Sequence, residues 1–183
     1  MTSALSTPEA RGAKADGCAS SEAAALWRAL GRVVDPEIPL VSIVELGIVR
    51  GVEQVRGEWV ITLTPTYSGC PATRVIETDV RAAVASVTGR TVRIVTALAP
   101  PWSSDWIAPE ARRKLHGAGI APPQIVGGRD ATQPIALRRS DAVRCPNCGS
   151  LRTSELARFG STACKAQWRC ADCLEPFDHF KPH

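Results

Sequence analysis

Thr64-Pro65-Thr66-Tyr67-Ser68-Gly69-Cys70-Pro71 is the stretch on which the reading of this chain turns. Before it, Trp59-Val60-Ile61-Thr62-Leu63 alternates in the manner of a β-strand. After it, Val75, Ile76, Val80, Ala83, Val84 and Val87 recur at helical spacing and predict an amphipathic helix. Ser68-Gly69 supplies the turn, and Pro71 suits the first helical residue, where its missing N–H costs nothing. Cys70 therefore falls at or just before a helix N-terminus. Unpaired N–H groups and the positive end of the helix dipole favour a thiolate there. Cys70 reads equally well as a small hydrophobe buried beneath a turn. Spacing alone leaves both readings open.

Upstream, Ser20-Ser21-Glu22 opens a helix, and Ala23, Leu26, Trp27, Leu30, Val33 and Val34 continue it. Asp35-Pro36 should end it, because the residue before proline is pushed out of the helical region. Asp35-Pro36-Glu37-Ile38-Pro39 then reads as an extended segment bearing two carboxylates, or simply as a helix stop with solvated acids, and Val41–Gly47 as one helical turn closed by Gly47. Ile48 to Val55 reads as a strand, joined through Arg56-Gly57-Glu58 to its partner at Trp59 to Leu63. The helix after Cys70 should end at Thr88-Gly89, followed by a strand from Thr91 to Leu98. The α-β-β-α-β order predicts a compact α+β domain, closed by a short helix from Pro109 and spanning residues 21–116. Trp102 and Trp106 read as an aromatic surface that either covers the core, the favoured reading, or receives a partner. Residues 1–20, with Cys18, read as a disordered tail, 117–143 as a linker, and 144–183 as a second small module.

The 183 residues are 44% hydrophobic and 22% charged, as expected of a globular protein. No run of 18 apolar residues suggests a membrane span, and no basic-then-apolar leader is visible. Of the net charge of +4, residues 138–183 carry +3, from eight Lys/Arg against five Asp/Glu. That imbalance is too small to argue for nucleic acid. Seven cysteines, four of them in C-x-x-C pairs, suggest cytoplasmic thiols that bind metal rather than a disulfide framework.

Cys145-Pro146-Asn147-Cys148 and Cys170-Ala171-Asp172-Cys173 are two knuckles separated by 21 residues. Each pair lets two thiolates in one turn reach a single metal, and two such turns complete a tetrahedral four-sulfur site. Thr153 to Arg169 can form the hairpin between them, as in zinc ribbons. Some 40 residues bury too little surface to fold unaided, so metal binding would supply the folding free energy. Zinc is the default ion, although four thiolates also hold iron or an iron–sulfur cluster. Cys164 is a further thiol that reads as a buried neighbour, a redox-active group or a substitute ligand. His179 and His183 read as solvated tail residues.

The acidic segment at 35–39, Ser42-Ile43-Val44-Glu45-Leu46-Gly47 and the stretch at 64–71 together resemble the signature of the SufT/PaaD-like iron–sulfur maturation family. Phe159–Ala166 and Glu175–Lys181 resemble more specifically the branch that serves phenylacetyl-CoA epoxidase, so the likeness spans residues 21–183. It implies an α+β maturation domain followed by a zinc ribbon, in an accessory protein of aerobic phenylacetate degradation. The implied partners are a di-iron oxygenase and a reductase carrying a 2Fe–2S cluster. On this likeness Cys70 is the reactive, cluster-transferring cysteine and a transient ligand for iron or a cluster, and Asp35 and Glu37 match the acidic motif beside it.

Three functions remain in competition. The leading one is an assembly factor in which Cys70 holds a cluster weakly enough to pass it on, either across a homodimer or together with the acceptor. The second is a structural or docking subunit in which Cys70 only packs. The third, an enzyme with Cys70 as nucleophile, lacks a nearby base, since the three histidines stand at 116, 179 and 183. No Glu-x-x-His pair exists to build a di-iron site, so the chain is not expected to be the oxygenase catalyst.

Overall fold

The computed structural model describes residues 21–67, 69–125 and 143–182. The tail read over 1–20, with Cys18, and most of the stretch read as a linker lie outside them. Turn chemistry sets the central sheet. Strands β3 (Val49–Val55) and β4 (Glu58–Leu63) pair antiparallel around Arg56-Gly57, as the sequence predicts. Both turn residues have positive φ, 52° and 85°, the twist a two-residue hairpin requires. β4 is the central strand, with Trp59, Val60, Ile61 and Leu63 buried. Helix α2 (Thr73–Thr88) crosses from it to β5 (Val92–Thr96), which pairs parallel to β4. Ile76, Val80 and Val84 form the buried stripe of α2, and Gly89 closes the helix in the left-handed conformation, φ 64°. Helix α1 (Ser21–Leu30) packs on α2 through buried Leu26 and Leu30.

Helix α1 ends at Leu30, short of the Val33 and Val34 the sequence assigns to it, because the Arg32 and Val33 N–H groups close tight turns on Ala29 O and Leu30 O at 3.0 and 3.1 Å and Val34 passes into a strand. Three further local readings change. Asp35-Pro36-Glu37 is not extended: β1 (Val34–Asp35) and β2 (Ile38–Ser42) form a hairpin around it. The cause is Asp35, whose Oδ1 accepts the N–H groups of Glu37 and Ile38 at 2.8 and 3.0 Å and folds the chain back. Next, α2 starts at Thr73 rather than Pro71, because the Cys70 carbonyl accepts both the N–H and the hydroxyl of Thr73, at 3.2 and 2.9 Å. Third, the residues read as a linker include β6 (Ile120–Ala121), which follows α3 (Pro109–Gly117) and joins the C-terminal sheet. The turn closed by Gly47 forms as read. Glycine is required there twice over: φ is +70°, and a Cβ would stand 2.6 Å from the Trp106 Cβ.

The C-terminal sheet has the order β6-β9-β8-β7, built from β7 (Thr153–Ala157), β8 (Lys165–Cys170) and β9 (Pro176–Phe180). Its own small core holds Ala121, Val143, Ala166, Trp168 and Phe177 with Cys145 and Cys170. Phe180 does not belong to that core. It enters the main one, with its ring centroid 5.9 Å from that of Trp102, whose indole N–H donates to the Leu46 carbonyl at 3.0 Å. Trp106 also covers the core, and the Arg50 guanidinium lies 3.6 Å above its ring. Arg50 is the extra residue of a bulge between Val49 and Gly51, which turns it toward Trp106. No helix among the described residues is long and apolar enough to cross a membrane.

Candidate metal centre and thiol site

The four cysteines of the two knuckles converge. Their sulfurs all lie within 4.8 Å of one another, with Cys145 3.7 Å from Cys173 and Cys148 3.5 Å from Cys170. Four thiolates at about 2.3 Å from a tetrahedral zinc ion stand about 3.8 Å apart, so the donor set fits zinc. Backbone hydrogen bonds hold the knuckles: Gly149 N–H donates to Cys145 O at 2.9 Å, and Cys170 N–H to Glu175 O at 3.1 Å. The Asp172 N–H points at the Cys170 sulfur, 3.4 Å away, and eases its charge. Asp172 also accepts from Ser150 and pairs with Arg152, tying one knuckle to the other.

Cys70 occupies a different place. Thr64 at the end of β4 donates its N–H to Ile48 O at 2.8 Å, and the loop turns back so that Cys70 N–H reaches Tyr67 O at 3.1 Å. The half-buried Cys70 side chain lines a small cavity with Asp35, Ile48, Leu63, Pro65, Thr66, Thr73 and Ile76. Sequence could not tell whether Asp35 comes near Cys70; the β1–β2 hairpin puts it in the same cavity. Glu37 lies at the exposed tip of that hairpin, and its charge reaches Cys70.

Electrostatics reverse the expectation drawn from the helix dipole. Burial pushes the Cys70 thiol above its ordinary pKa, and the Asp35 and Glu37 charges add to that shift. The Ala72 N–H and the Thr73 hydroxyl act the other way but do not prevail. With α2 beginning three residues beyond Cys70, the dipole is too far off to dominate. Asp35 is itself only 7% exposed, and burial holds its carboxyl above the usual range despite the two N–H groups it accepts. The cavity concentrates negative charge where desolvation opposes it.

The C-terminal module supplies two groups that sequence reasoning did not join to this site. Cys164, at the turn before β8, packs against the same core as Cys70. Its sulfur is 3.1 Å from the Thr162 hydroxyl, and its carbonyl accepts the Lys181 N–H at 2.9 Å. Burial raises its pKa, and the charges of Asp35 and Cys70 add to that shift. Lys165, the next residue, is nearly buried, sits 3.4 Å from Asp178, and its positive charge is felt by both Asp35 and Cys164. The adjacency of Lys165 to Cys164 was the only sequence signal for this cation. His179, read as a solvated tail residue, is instead buried edge-on against Trp168, and burial lowers its pKa to about 4.

Ser42 and Glu45 have a structural task. Ser42 N–H donates to Glu45 Oε2 at 2.8 Å and Glu45 N–H to Ser42 Oγ at 3.1 Å, a reciprocal cap that fixes the turn into Gly47. Glu45 also holds Lys114 of α3 at 2.6 Å.

Residues 23–97 match the family described as iron–sulfur cluster assembly protein, and residues 129–181 match the PaaD zinc beta ribbon domain. A protein of Escherichia coli K12, named as the D subunit of a "Putative 1,2-phenylacetyl-CoA epoxidase", is 44% identical over 156 residues, covering 85% of this chain and 90% of that one. Among solved structures, a DUF59 domain of unknown function from Bacillus anthracis is 31% identical over 52% of this chain and 92% of its own, with a TM-score of 0.48. A Mycobacterium tuberculosis protein associated with Fe–S complex assembly and repair is 33% identical over 59% of this chain and 96% of its own, with a TM-score of 0.33.

Proposed function

The chain belongs to the family of 1,2-phenylacetyl-CoA epoxidase D subunits, and we propose that it is a cytoplasmic, non-catalytic accessory protein that helps assemble a metal centre of that system. In this reading an iron ion or iron–sulfur cluster is cargo for the di-iron oxygenase or the 2Fe–2S reductase. The observation that carries it is Cys70 beside the buried carboxylate of Asp35. A thiolate and a carboxylate are both iron ligands, and a pair so short of donors holds iron loosely enough to release it to a better-furnished acceptor. Glu37, at the hairpin tip, adds negative charge toward an arriving cation. The ribbon is structural, with zinc held by Cys145, Cys148, Cys170 and Cys173.

The test is metal and acid-labile sulfide content, with a visible spectrum, on anaerobically purified wild type and Cys70→Ser. Zinc in both, with iron and sulfide in wild type alone, is the expected result. Iron equally present in both would place it on the ribbon cysteines and defeat the division of labour. In cells, Cys70→Ser should impair epoxidase assembly. A second reading, a docking subunit without cargo, draws on the exposed Leu151, Leu156, Phe159 and Leu174 of the ribbon. It predicts stable co-purification with the oxygenase subunits and indifference to Cys70→Ser.

A further inference from the structure

We propose that the ribbon module binds an acyl or aryl thioester of a phosphorylated carrier, a molecule of the coenzyme A class, in a cavity on the face of its sheet turned away from the main core. This site goes beyond the assembly reading and does not use Cys70. The cavity holds about 780 Å³, within the roughly 300–1,000 Å³ of small-molecule sites. Among the described residues it shares no wall with the Cys70 cavity and includes none of the knuckle cysteines. Strand alternation places it. Ala166 and Trp168 of β8 and His179 of β9 line it, whereas Phe180, the neighbour of His179, points the other way into the main core. Helix α3 and the segment after β6 add a wall through His116, Pro122 and Gln124.

Two features of the lining select the ligand. The first is apolar surface: Ile125, Leu151 and Phe159 line the cavity although each is exposed. A lone exposed apolar side chain is ordinary, but three around one cavity, above Ala166 and Trp168, form a surface that an apolar group would cover. Trp168 is only 4% exposed, and its indole N–H has no acceptor among the described residues, which leaves an unmet donor for a ligand carbonyl. The second feature is charge. Arg144, Arg158 and Lys181 stand against a single carboxylate, Glu155, and the buried His179 is neutral at pH 7. Lys181 Nζ donates to the Arg158 carbonyl at 3.1 Å and lies 4.4 Å above the Phe159 ring, so cations and exposed aromatic sit together. A monocarboxylate would neutralise one of these cations; three suit a head bearing several phosphate charges. An apolar acyl or aryl group, a carbonyl and a phosphorylated end are the combination this lining matches.

The experiment is calorimetric titration of the zinc-loaded full chain with phenylacetyl-CoA, the thioester in the family's name, with coenzyme A and phenylacetate as separate arms. Wild type should bind one thioester per chain, and each half alone should bind at least about 10-fold more weakly. Arg158→Gln should weaken thioester binding by about 10-fold, the scale of one charge-assisted hydrogen bond. Phe159→Ala should weaken the thioester and leave coenzyme A unchanged. Both residues are exposed, and unchanged zinc content and thermal midpoint establish that the variants fold. Arg90→Gln, which removes equal charge from the turn between α2 and β5, should bind as wild type does. So should Cys70→Ser, because this site is separate from the cargo site. Coenzyme A binding as tightly as the thioester would show that the apolar lining is unused, and equal losses in Arg158→Gln and Arg90→Gln would reduce the effect to net charge. Either result, or no binding to wild type, would overturn the proposal and leave the assembly reading standing.

Discussion

Phe180→Ala tests the docking of the ribbon on the α+β module. Phe180 is 1% exposed, sits in the main core and contacts Trp102, although its strand belongs to the ribbon sheet. Truncating a fully buried phenylalanine costs about 3–5 kcal/mol, in lost transfer free energy and in the cavity left behind. Set against a total stability of about 5–15 kcal/mol, that loss is large enough to uncouple the two modules. The zinc site does not depend on Phe180, so the variant should keep its zinc while the ribbon comes away. Urea unfolding followed by tryptophan fluorescence and by zinc release should show one coincident transition in wild type and two in Phe180→Ala. Phe159→Ala is the control: Phe159 is 69% exposed, its ring lies under the Lys181 ammonium at 4.4 Å, and such a surface contact contributes only about 0.5–1 kcal/mol. A single coincident transition in Phe180→Ala, shifted by less than about 1 kcal/mol, would refute the claim that this residue locks the modules together.

Chelating the ribbon zinc, or replacing Cys170 by serine, should unfold β7–β9 while β3–β5 and their helices persist; circular dichroism with metal analysis checks this, since a module with so small a core draws its folding free energy from the metal. Gly47→Ala should cost about 2 kcal/mol or more, because it combines a left-handed backbone with a 2.6 Å approach to Trp106, and a shifted denaturation midpoint reports it. His179 stays neutral in the folded protein down to about pH 4, whereas in the unfolded chain it takes up a proton near pH 6.5. The unfolded state therefore binds more protons between those values, so stability falls as pH drops from about 6.5 to 4, by up to about 3 kcal/mol. Zinc thiolates also lose their metal in acid, so the measured quantity is the difference in pH dependence between wild type and His179→Phe, and equal slopes would remove His179 as a cause.

The sequence by itself determined what local chemistry controls. The Arg56-Gly57 turn, the alternation of β4, the 3.6-residue stripe of α2 with Gly89 at its end, and the paired C-x-x-C knuckles each act over a few residues. All form as the pattern implies, because turn geometry, side-chain periodicity and ligand bite are fixed by neighbours in the chain. Readings failed where a side chain reached further. The Asp35 carboxylate turned an extended segment into a hairpin, and the Thr73 contacts with the Cys70 carbonyl moved the start of α2 beyond Pro71. The direction of the Cys70 pKa was also beyond reach, since desolvation and the charges of Asp35 and Glu37 depend on how separate segments pack. Only the tertiary structure brought Cys164, 94 residues further along the chain, against the same hydrophobic core as Cys70. The burial of Phe180 against Trp102 does this, and no periodicity records it, because hydrophobic burial is non-directional and is decided by the faces left uncovered once each module has formed.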